Sequence, residues 1–334
     1  MNTTKKKEQI IESMKDCYNQ IFIPYLHRKN TIAHPNDEKG DIIRLTPSTV
    51  YFWYDEVYSS RALVDIVVLP KIPDEKLSFS RELLNIMNSD LACDHFCMIP
   101  ECNTLVFRTS LYVLGDQLPR NKFKTLLSQF IFADYFRFRL SIEELLVAGG
   151  KPEEIIQSLG AQLPKEKKQH YKTDYERLQQ GIKRVFAKID LPVKDETITD
   201  NSVKIVSSIR GGACRFRLVA FAPINTAQLH LQMTSFDELP QNMFTEAVEM
   251  ANMYNSRSYA NHIIVSTRDK YVSLFTGVIL DPVLDEEELV YQLKNLLSVG
   301  CRILPVFVGN NPANMSPKEH LKSIFAGCRE KVIS

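Results

Sequence analysis

Apolar and polar positions along the chain follow two different periods, and each change of period marks a predicted element. Apolar residues three or four positions apart indicate a helix face, whereas strict alternation indicates a strand with one buried face. The alternating runs are rich in β-branched and aromatic residues, as expected of strands. In the first half these patterns predict, in order, a helix over 6–22, strands at 40–46, 49–58 and 61–70, a helix over 77–88, strands at 95–100 and 104–114, and a helix from Arg120.

The second half of the chain predicts the same order of elements. Between its first two strands, the segment IRGGACR has the composition of a hairpin turn, because its glycines can adopt positive φ. The predicted elements are a helix over 174–190, strands at 203–209, 214–222 and 228–236, a helix over 240–254, strands at 261–267 and 271–280, a helix from Glu286 and a short helix from about Pro317.

Two offsets superimpose one half of the sequence on the other. At an offset of 167 residues, the stretch 84–136 lies on 251–303 without a gap and keeps its apolar pattern, with Asn85 on Asn252, Asn88 on Asn255 and His95 on His262. The first helix agrees at an offset of 168, where Ile10, Met14, Cys17 and Ile21 meet Leu178, Ile182, Val185 and Ile189. A one-residue difference in an intervening loop reconciles the two offsets. The chain is therefore predicted to contain two similar units.

The predicted architecture is α+β: two similar units, each a largely antiparallel sheet with flanking helices. The first unit is placed at 1–148 and the second at 173–309. Between them, 149–172 has linker composition, with a Gly stop, a short helix opened by Pro and a charged run. Residues 310–334 form a C-terminal tail whose short helix packs back on the body.

The second half carries a characteristic segment: an apolar helix ending near Asn, two strands, and a helix that opens with acidic residues. This segment reads MANMYNSRSYANHIIVSTRDKYVSLFTGVILDPVLDEEELVYQLKNLL, and a looser version begins at LLNIMNSDLACDHF in the first half. Together with the flanking elements it resembles the YbjN family, which is similar in fold to the type III secretion chaperones. The resemblance covers most of both units and rests on patterns of burial and turn.

The resemblance implies a non-enzymatic role in handling or regulating other proteins, and chaperones of this fold hold extended segments of their partners. This chain differs from the secretion chaperones in two respects. They tend to be acidic single-unit homodimers, whereas this chain is near neutral and carries two units. We expect a monomer in which the two units imitate a dimer within one chain.

Composition narrows the classes of function. Lys and Arg number 41 against 40 Asp and Glu, so no global field favours nucleic acid or an acidic membrane. No stretch reaches the roughly eighteen apolar residues of a membrane span, and the N-terminal segment intersperses acidic residues where a signal peptide would be apolar. Seven cysteines, an odd and scattered set, suit reduced thiols. We expect a cytoplasmic protein with no cofactor and no membrane insertion.

The pattern N-x-x-N-S ends two predicted helices, at Asn85 to Ser89 and at Asn252 to Ser256. Asn tolerates the left-handed conformation, and its amide can satisfy leftover backbone groups at a helix C-terminus. Asn88 and Asn255 are therefore interpreted as helix stops rather than as a polar contact site. Asn85 and Asn252 lie one turn earlier, where they can bond neighbouring strands.

The densest cluster of reactive residues is CDHFCMIPEC. On a strand, Cys93, His95 and Cys97 share one face, and Cys102 can return across the turn, which makes a four-ligand zinc site or a cysteine-dependent enzyme an alternative hypothesis. The spacing is not that of a zinc finger, and the second half has no matching thiols. Free cysteines filling a core are the other interpretation. No nucleophile elbow, phosphate-binding loop, dinucleotide-binding turn or H-E-x-x-H sequence occurs, so an enzyme is not expected.

Aromatic residues are dense in the second predicted strand, VYFWYDEVY. Alternation places Phe52 and Tyr54 on one face of this strand. Because Tyr, Trp and Arg are favoured in interaction hot spots, the exposed aromatic residues are candidates for binding a protein partner. The candidates are Tyr51, Trp53 and Tyr54. The sequence thus predicts a protein-binding module, an adaptor, chaperone-like or regulatory protein that uses a sheet face or a strand edge.

Overall fold

The protein consists of two compact units, one comprising Met1–Ser80 with Asp94–Glu166 and the other Arg81–Cys93 with Lys167–Ser334. The structure is a computed structural model. It describes residues 3–32, 50–55, 60–91, 93–129, 142, 174–199, 202–223, 227–266, 268–280, 284–309 and 315–330.

Unit 1 is built on a four-stranded antiparallel sheet, here called sheet A, with the strand order β1-β2-β4-β3. Its strands are β1 Val50–Asp55, β2 Arg61–Leu69, β3 Asp94–Ile99 and β4 Thr104–Tyr112. Its helices are α1 Thr3–Ile32 and α3 Arg120–Gln129, and helix α2 Leu77–Met87 begins in this unit.

Helix α1 packs against β1 and β2 of sheet A, and helix α3 packs against α1. Ile10 and Met14 of α1 and Phe123 of α3 are fully buried. Within the sheet, Phe96 and Phe107 lie directly opposite each other on β3 and β4 and stack at 4.4 Å between ring centroids. Burying each such side chain stabilises the unit by about 1.5–3 kcal/mol.

Unit 2 is built on a six-stranded antiparallel sheet, here called sheet B, with the order β5-β6-β7-β8-β10-β9. Its strands are β5 Asp195–Thr199, β6 Ser202–Gly211, β7 Cys214–Ala222, β8 Gln228–Ser235, β9 His262–Ser266 and β10 Tyr271–Ile279. Its helices are α4 Tyr175–Lys188, α5 Phe244–Asn255, α6 Glu286–Phe307 and α7 Pro317–Glu330, and α2 belongs to it from Arg81 onward.

One continuous hydrophobic core joins the inner face of sheet B to helices α4, α5, α6 and α7. Helices α4 and α6 both begin with a side-chain cap, since Asp174 accepts a hydrogen bond from the Arg177 amide and Asp285 accepts from the amides of Glu287 and Glu288. Leu321 of α7 lies in the same core, so the predicted tail helix packs on this unit.

The strand ladders bear out the repeat residue by residue. Val64 pairs with Thr109 between β2 and β4, and Leu231 pairs with Thr276 between β8 and β10, both at the offset of 167 residues. Phe96–Phe107 and Ile263–Leu274 match in the same way. On the next ladder, however, Phe52 pairs with Val64 whereas Ala220 pairs with Leu231, an offset of 168 for the first strand. The one-residue difference therefore falls between β1 and β2.

The predicted class, two sheet-based units in an α+β fold, is confirmed, with seven helices and two antiparallel sheets in the described residues. The hairpin turn predicted in IRGGACR is present, with Gly212 at a φ of 60°. Strand β5 is not among the predicted elements. The strand predicted at 40–46 and the linker predicted at 149–172 lie outside the described residues. The domain boundaries stay a prediction, although Arg81–Cys93 belongs to unit 2 and not to the unit in which it is placed by sequence order.

Across the described part of the chain, no helix is both long and apolar enough to cross a membrane.

Candidate functional site

Strand β9 lies at one edge of sheet B, and two asparagine side chains bond its outward-facing backbone groups. The amide of Asn85, on α2, donates to the Val265 carbonyl at 2.7 Å and accepts from the Val265 N–H at 2.8 Å. The amide of Asn255, on α5, makes the same pair of bonds with Ile263, at 3.0 Å and 2.7 Å. Ile263 and Val265 are alternate residues of an edge strand, which turn their N–H and C=O groups away from β10. The two amides therefore replace a neighbouring strand.

The pattern N-x-x-N-S has a different role from the one expected of it. Helix α5 does end at Asn255, as expected, but Asn255 is not in the left-handed conformation, and its amide binds a strand. Asn85 bonds a strand, as expected, but Asn252 does not: its amide donates to Val248 and Arg81 carbonyls in helices α5 and α2. The Asn88 carbonyl lies 3.2 Å from the His262 Nε2 atom. The pattern thus fastens helices to β9 and to each other within unit 2.

Two of the other sheet edges are poor sites for strand addition. Every side chain of β3 except that of Ile99 is buried. The five residues of β5 are exposed, but Asp195 and Glu196 put charge on this edge, and Glu196 is held by an ion pair of 3.0 Å to Lys183. Charged residues at a strand edge oppose pairing with a further strand.

Edge strand β1 has the features of a binding site. Among the described strands it pairs with β2 alone, which leaves its other backbone edge free of a partner strand there. Tyr51 and Trp53 are 48% and 53% exposed, and their ring centroids lie 6.1 Å apart on one face of the strand. Phe52 turns to the opposite face, where its ring meets Tyr18 of α1 edge-on at 5.5 Å. Tyr54 shares that face and is only 4% exposed, so this candidate is a core residue and lies away from the surface.

The cysteine cluster does not converge on one point. Cys97 is fully buried and packs with Val67 and Val106 in a small apolar cluster. The exposed thiol of Cys102 lies 3.0 Å from the Thr104 hydroxyl, His95 is buried on β3, and Cys93 precedes that strand. In the part of the chain that the structure describes, no three His, Cys, Asp or Glu residues are grouped so as to hold a metal ion.

A buried ion pair lies on the same face of sheet A as Cys97. The Arg108 guanidinium donates to both oxygens of Asp65, at 2.8 Å and 2.9 Å, a bidentate geometry. Burial raises the pKa of the Cys97 thiol to about 12, an effect that the Arg108 charge opposes and the Asp65 charge adds to. A thiol of this kind stays protonated at neutral pH and is a weak nucleophile.

We therefore expect Cys97 to resist alkylation. Iodoacetamide added to the native protein at pH 8 should modify the exposed Cys102 first and leave Cys97 unmodified until urea unfolds the chain, as read by mass spectrometry of the peptides. A Cys102→Ser variant serves as control, since it removes the fast site and should leave a native protein with Cys97 still protected. Rapid modification of Cys97 in the native state would revive the cysteine-dependent enzyme.

The described helices and strands define an α+β protein with two antiparallel sheets. No protein-family model and no curated protein matches the chain.

Proposed function

We propose that this protein binds another protein, and that the binding site is the edge strand β1. The observation that carries the proposal is the exposure of Tyr51 and Trp53 on a strand whose outer edge pairs with no other described strand. Aromatic residues on a protein surface supply large contact areas, and Trp and Tyr are the residues that most often dominate binding energy. No catalytic step is part of the proposed function.

The partner adds an extended segment beside β1, along the edge of sheet A that pairs with no other described strand. Backbone hydrogen bonds to β1 supply affinity without reference to sequence, and side chains that alternate along the segment supply selectivity. Those on one side of the segment pack against Tyr51 and Trp53, which lie two residues apart on one face of β1. The segment is therefore expected to carry apolar or aromatic residues at alternate positions.

This function agrees with the resemblance to the YbjN family and to chaperones that hold extended segments. We place the protein in the cytoplasm as an adaptor or chaperone-like regulator, and expect a monomer in which two repeats stand where other proteins of this fold use two chains. The near balance of charge, at a formal net charge of +1, supports a protein partner over a polyanion.

The test is a capture experiment with matched variants. Wild-type protein, Trp53→Lys and Ile198→Lys are each immobilised and exposed to lysate of the source cell, and retained proteins are identified by mass spectrometry. We expect one protein to be retained by the wild type and by Ile198→Lys and to be lost from Trp53→Lys. Ile198 is the matched control because it is an exposed apolar residue on β5, the charged edge.

Trp53 also provides a direct signal, since it is the only tryptophan of the chain. Titrating the captured partner into the protein should shift the emission of Trp53 to shorter wavelength as its ring leaves water. The Trp53→Ala variant should bind at least tenfold more weakly, which corresponds to the loss of about 1.4 kcal/mol or more expected of a hot-spot aromatic residue. Retention of the same partner by all three proteins, with no change in emission, would rule out β1 as the site.

A further inference from the structure

Sheet B carries a concentrated positive charge at one end of its outer face, the face opposite the core. Arg215 and Arg217 project from β7 on this face, alternating with the buried Cys214, Phe216 and Leu218. Arg210 of β6 lies directly opposite Arg215. All three arginines are exposed. Like charges directly opposite each other on neighbouring strands destabilise a sheet, so this arrangement has a cost that folding alone does not explain.

None of the three guanidinium groups has a hydrogen-bond or ion-pair partner among the described residues. The Arg215 guanidinium carbon lies 5.8 Å from the centroid of the Phe236 ring. Phe236 follows β8, is 47% exposed, and donates its backbone N–H to the Arg215 carbonyl at 3.0 Å. The set Arg210, Arg215, Arg217 and Phe236 is called the arginine cluster below. The arginine cluster presents guanidinium N–H groups that bond no described residue, beside the apolar ring of Phe236.

We propose that the arginine cluster binds an acidic, extended peptide segment of a partner protein. Arg215 and Arg217 lie two residues apart on one face of a strand, a separation of about 7 Å. An extended peptide places the side chains of every second residue at the same spacing, so carboxylates at alternate positions meet the two guanidinium groups in register. Guanidinium forks bind carboxylates through two parallel hydrogen bonds, and the Phe236 ring receives an apolar side chain of the same segment.

The charges around the cluster favour a peptide over a nucleic acid. Asp237 and Glu238 follow Phe236 directly and are exposed, so the positive field ends there. A nucleic acid needs a longer track of cations, because each phosphate of its backbone repeats the charge. A peptide with two or three carboxylates fits within the cluster. This site lies on sheet B and does not depend on the function proposed for β1.

The test is a fluorescence anisotropy titration with defined ligands. The probe is a short fluorescein-labelled peptide in which Glu, Glu and Phe occupy every second position, with Ser between them and Gly-Ser at the ends, and its control has Gln in place of every Glu. We expect the Glu peptide to bind, the Gln peptide to bind at least tenfold more weakly, and the affinity of the Glu peptide to fall as salt is raised. Labelled oligothymidylate is titrated in parallel and should bind more weakly than the Glu peptide.

Variants locate the binding on the protein. Arg217→Gln should weaken binding of the Glu peptide about tenfold, and the double variant Arg210→Gln/Arg217→Gln should weaken it further, since each substitution removes a guanidinium that would bond a carboxylate. Arg177→Gln, an exposed arginine at the start of α4, is the matched control and should bind like the wild type. Trp53→Lys should also bind like the wild type, which separates this site from β1.

The proposal is overturned if the wild type does not bind the Glu peptide, if Arg217→Gln binds it equally well, or if the Gln peptide binds with the same affinity. Tighter binding of oligothymidylate than of the Glu peptide also overturns it and identifies a nucleic-acid surface. Because the three arginines are exposed and their side chains bond nothing in the described structure, the variants should retain the unfolding midpoint of the wild type, and urea titration verifies this.

Discussion

Replacing Asn255 by Ala should lower the free energy of unfolding by about 2–6 kcal/mol, because the substitution leaves a buried backbone N–H and a buried carbonyl without their partners, at about 1–3 kcal/mol each. Both groups belong to Ile263, whose side chain is fully buried in the core. Water cannot replace the amide without opening the strand edge. Urea unfolding, followed by far-UV circular dichroism, measures the change.

Asn255→Asp separates hydrogen bonding from packing, since the two side chains have the same shape. The aspartate can still accept from the Ile263 N–H, but it turns an oxygen toward the Ile263 carbonyl where Asn255 donates. We expect it to lose at least as much stability as Asn255→Ala at pH 7. If Asn255→Asp is as stable as the wild type, the amide donor does not matter and the strand edge is closed by shape alone. Gln180→Ala, an exposed residue of α4, is the control and should change little.

Asn85→Ala should have an effect of similar size for the same reason, since Asn85 makes the equivalent pair of bonds with Val265. The double variant Asn85→Ala/Asn255→Ala leaves two alternate residues of β9 with open hydrogen-bonding groups. Exposed edge strands recruit further strands. Light scattering of the double variant should therefore reveal association of copies that the wild type and Gln180→Ala do not show.

Acid should destabilise the protein through His262. Burial lowers the pKa of His262 from 6.5 to about 4, an effect opposed by the hydrogen bond to the Asn88 carbonyl. As pH falls, the His262 imidazole is protonated at a higher pH in the unfolded chain than in the folded protein, which favours unfolding. Stability is then complete above pH 6.5 and is lost progressively between pH 6.5 and pH 4, by up to roughly 3 kcal/mol at 1.36 kcal/mol per pKa unit. Burial lowers the pKa of His230 to about 4 as well, so His230 adds a loss in the same direction.

Urea unfolding of the wild type and of His262→Gln at pH 7.5, 6, 5 and 4.5 measures this dependence. The His262→Gln variant should be less stable than the wild type at neutral pH, because it loses the His262 ring, which stacks on the Phe275 ring at 5.6 Å between centroids. Its stability should nevertheless fall less steeply with acid. Gln180→Ala, the exposed control residue of α4, should keep the wild-type slope. Equal slopes for all three proteins would show that His262 does not carry the acid sensitivity.

Local pattern accounts for much of the fold. The sequence predicts the order of most helices and strands, the two similar units and the two offsets between them. It does so because each element buries one face, and burial imposes a period on the element's own residues. Ile10 and Met14 in α1, like Ile182 and Val185 in α4, are buried as their spacing predicts. The alternation in β1 likewise predicted that Phe52 and Tyr54 share a face.

The candidate sites depended on more than local pattern. Tyr51 and Trp53 became the stronger candidates only when β1 proved to be an edge among the described strands and Tyr54 proved to be buried. Arg215 and Arg217 alternate visibly in the sequence, but Arg210 and Phe236 join them only through the ladders of β6 and β8 with β7. The cysteines have suggestive spacing, yet spacing along a chain cannot say which thiols point into a core.

By itself, the sequence determined a duplicated α+β chain, because periodic burial is a property of neighbouring residues and survives the loss of identity between the two halves. Only the tertiary structure decided what the repeated asparagines do. Asn85 and Asn255 come from helices far apart in sequence and meet alternate residues of one strand, β9. Which strand forms an edge, and which amides reach its open backbone groups, depends on the pairing of all strands in the sheet. That pairing is set by long-range hydrogen bonds, which no local period encodes.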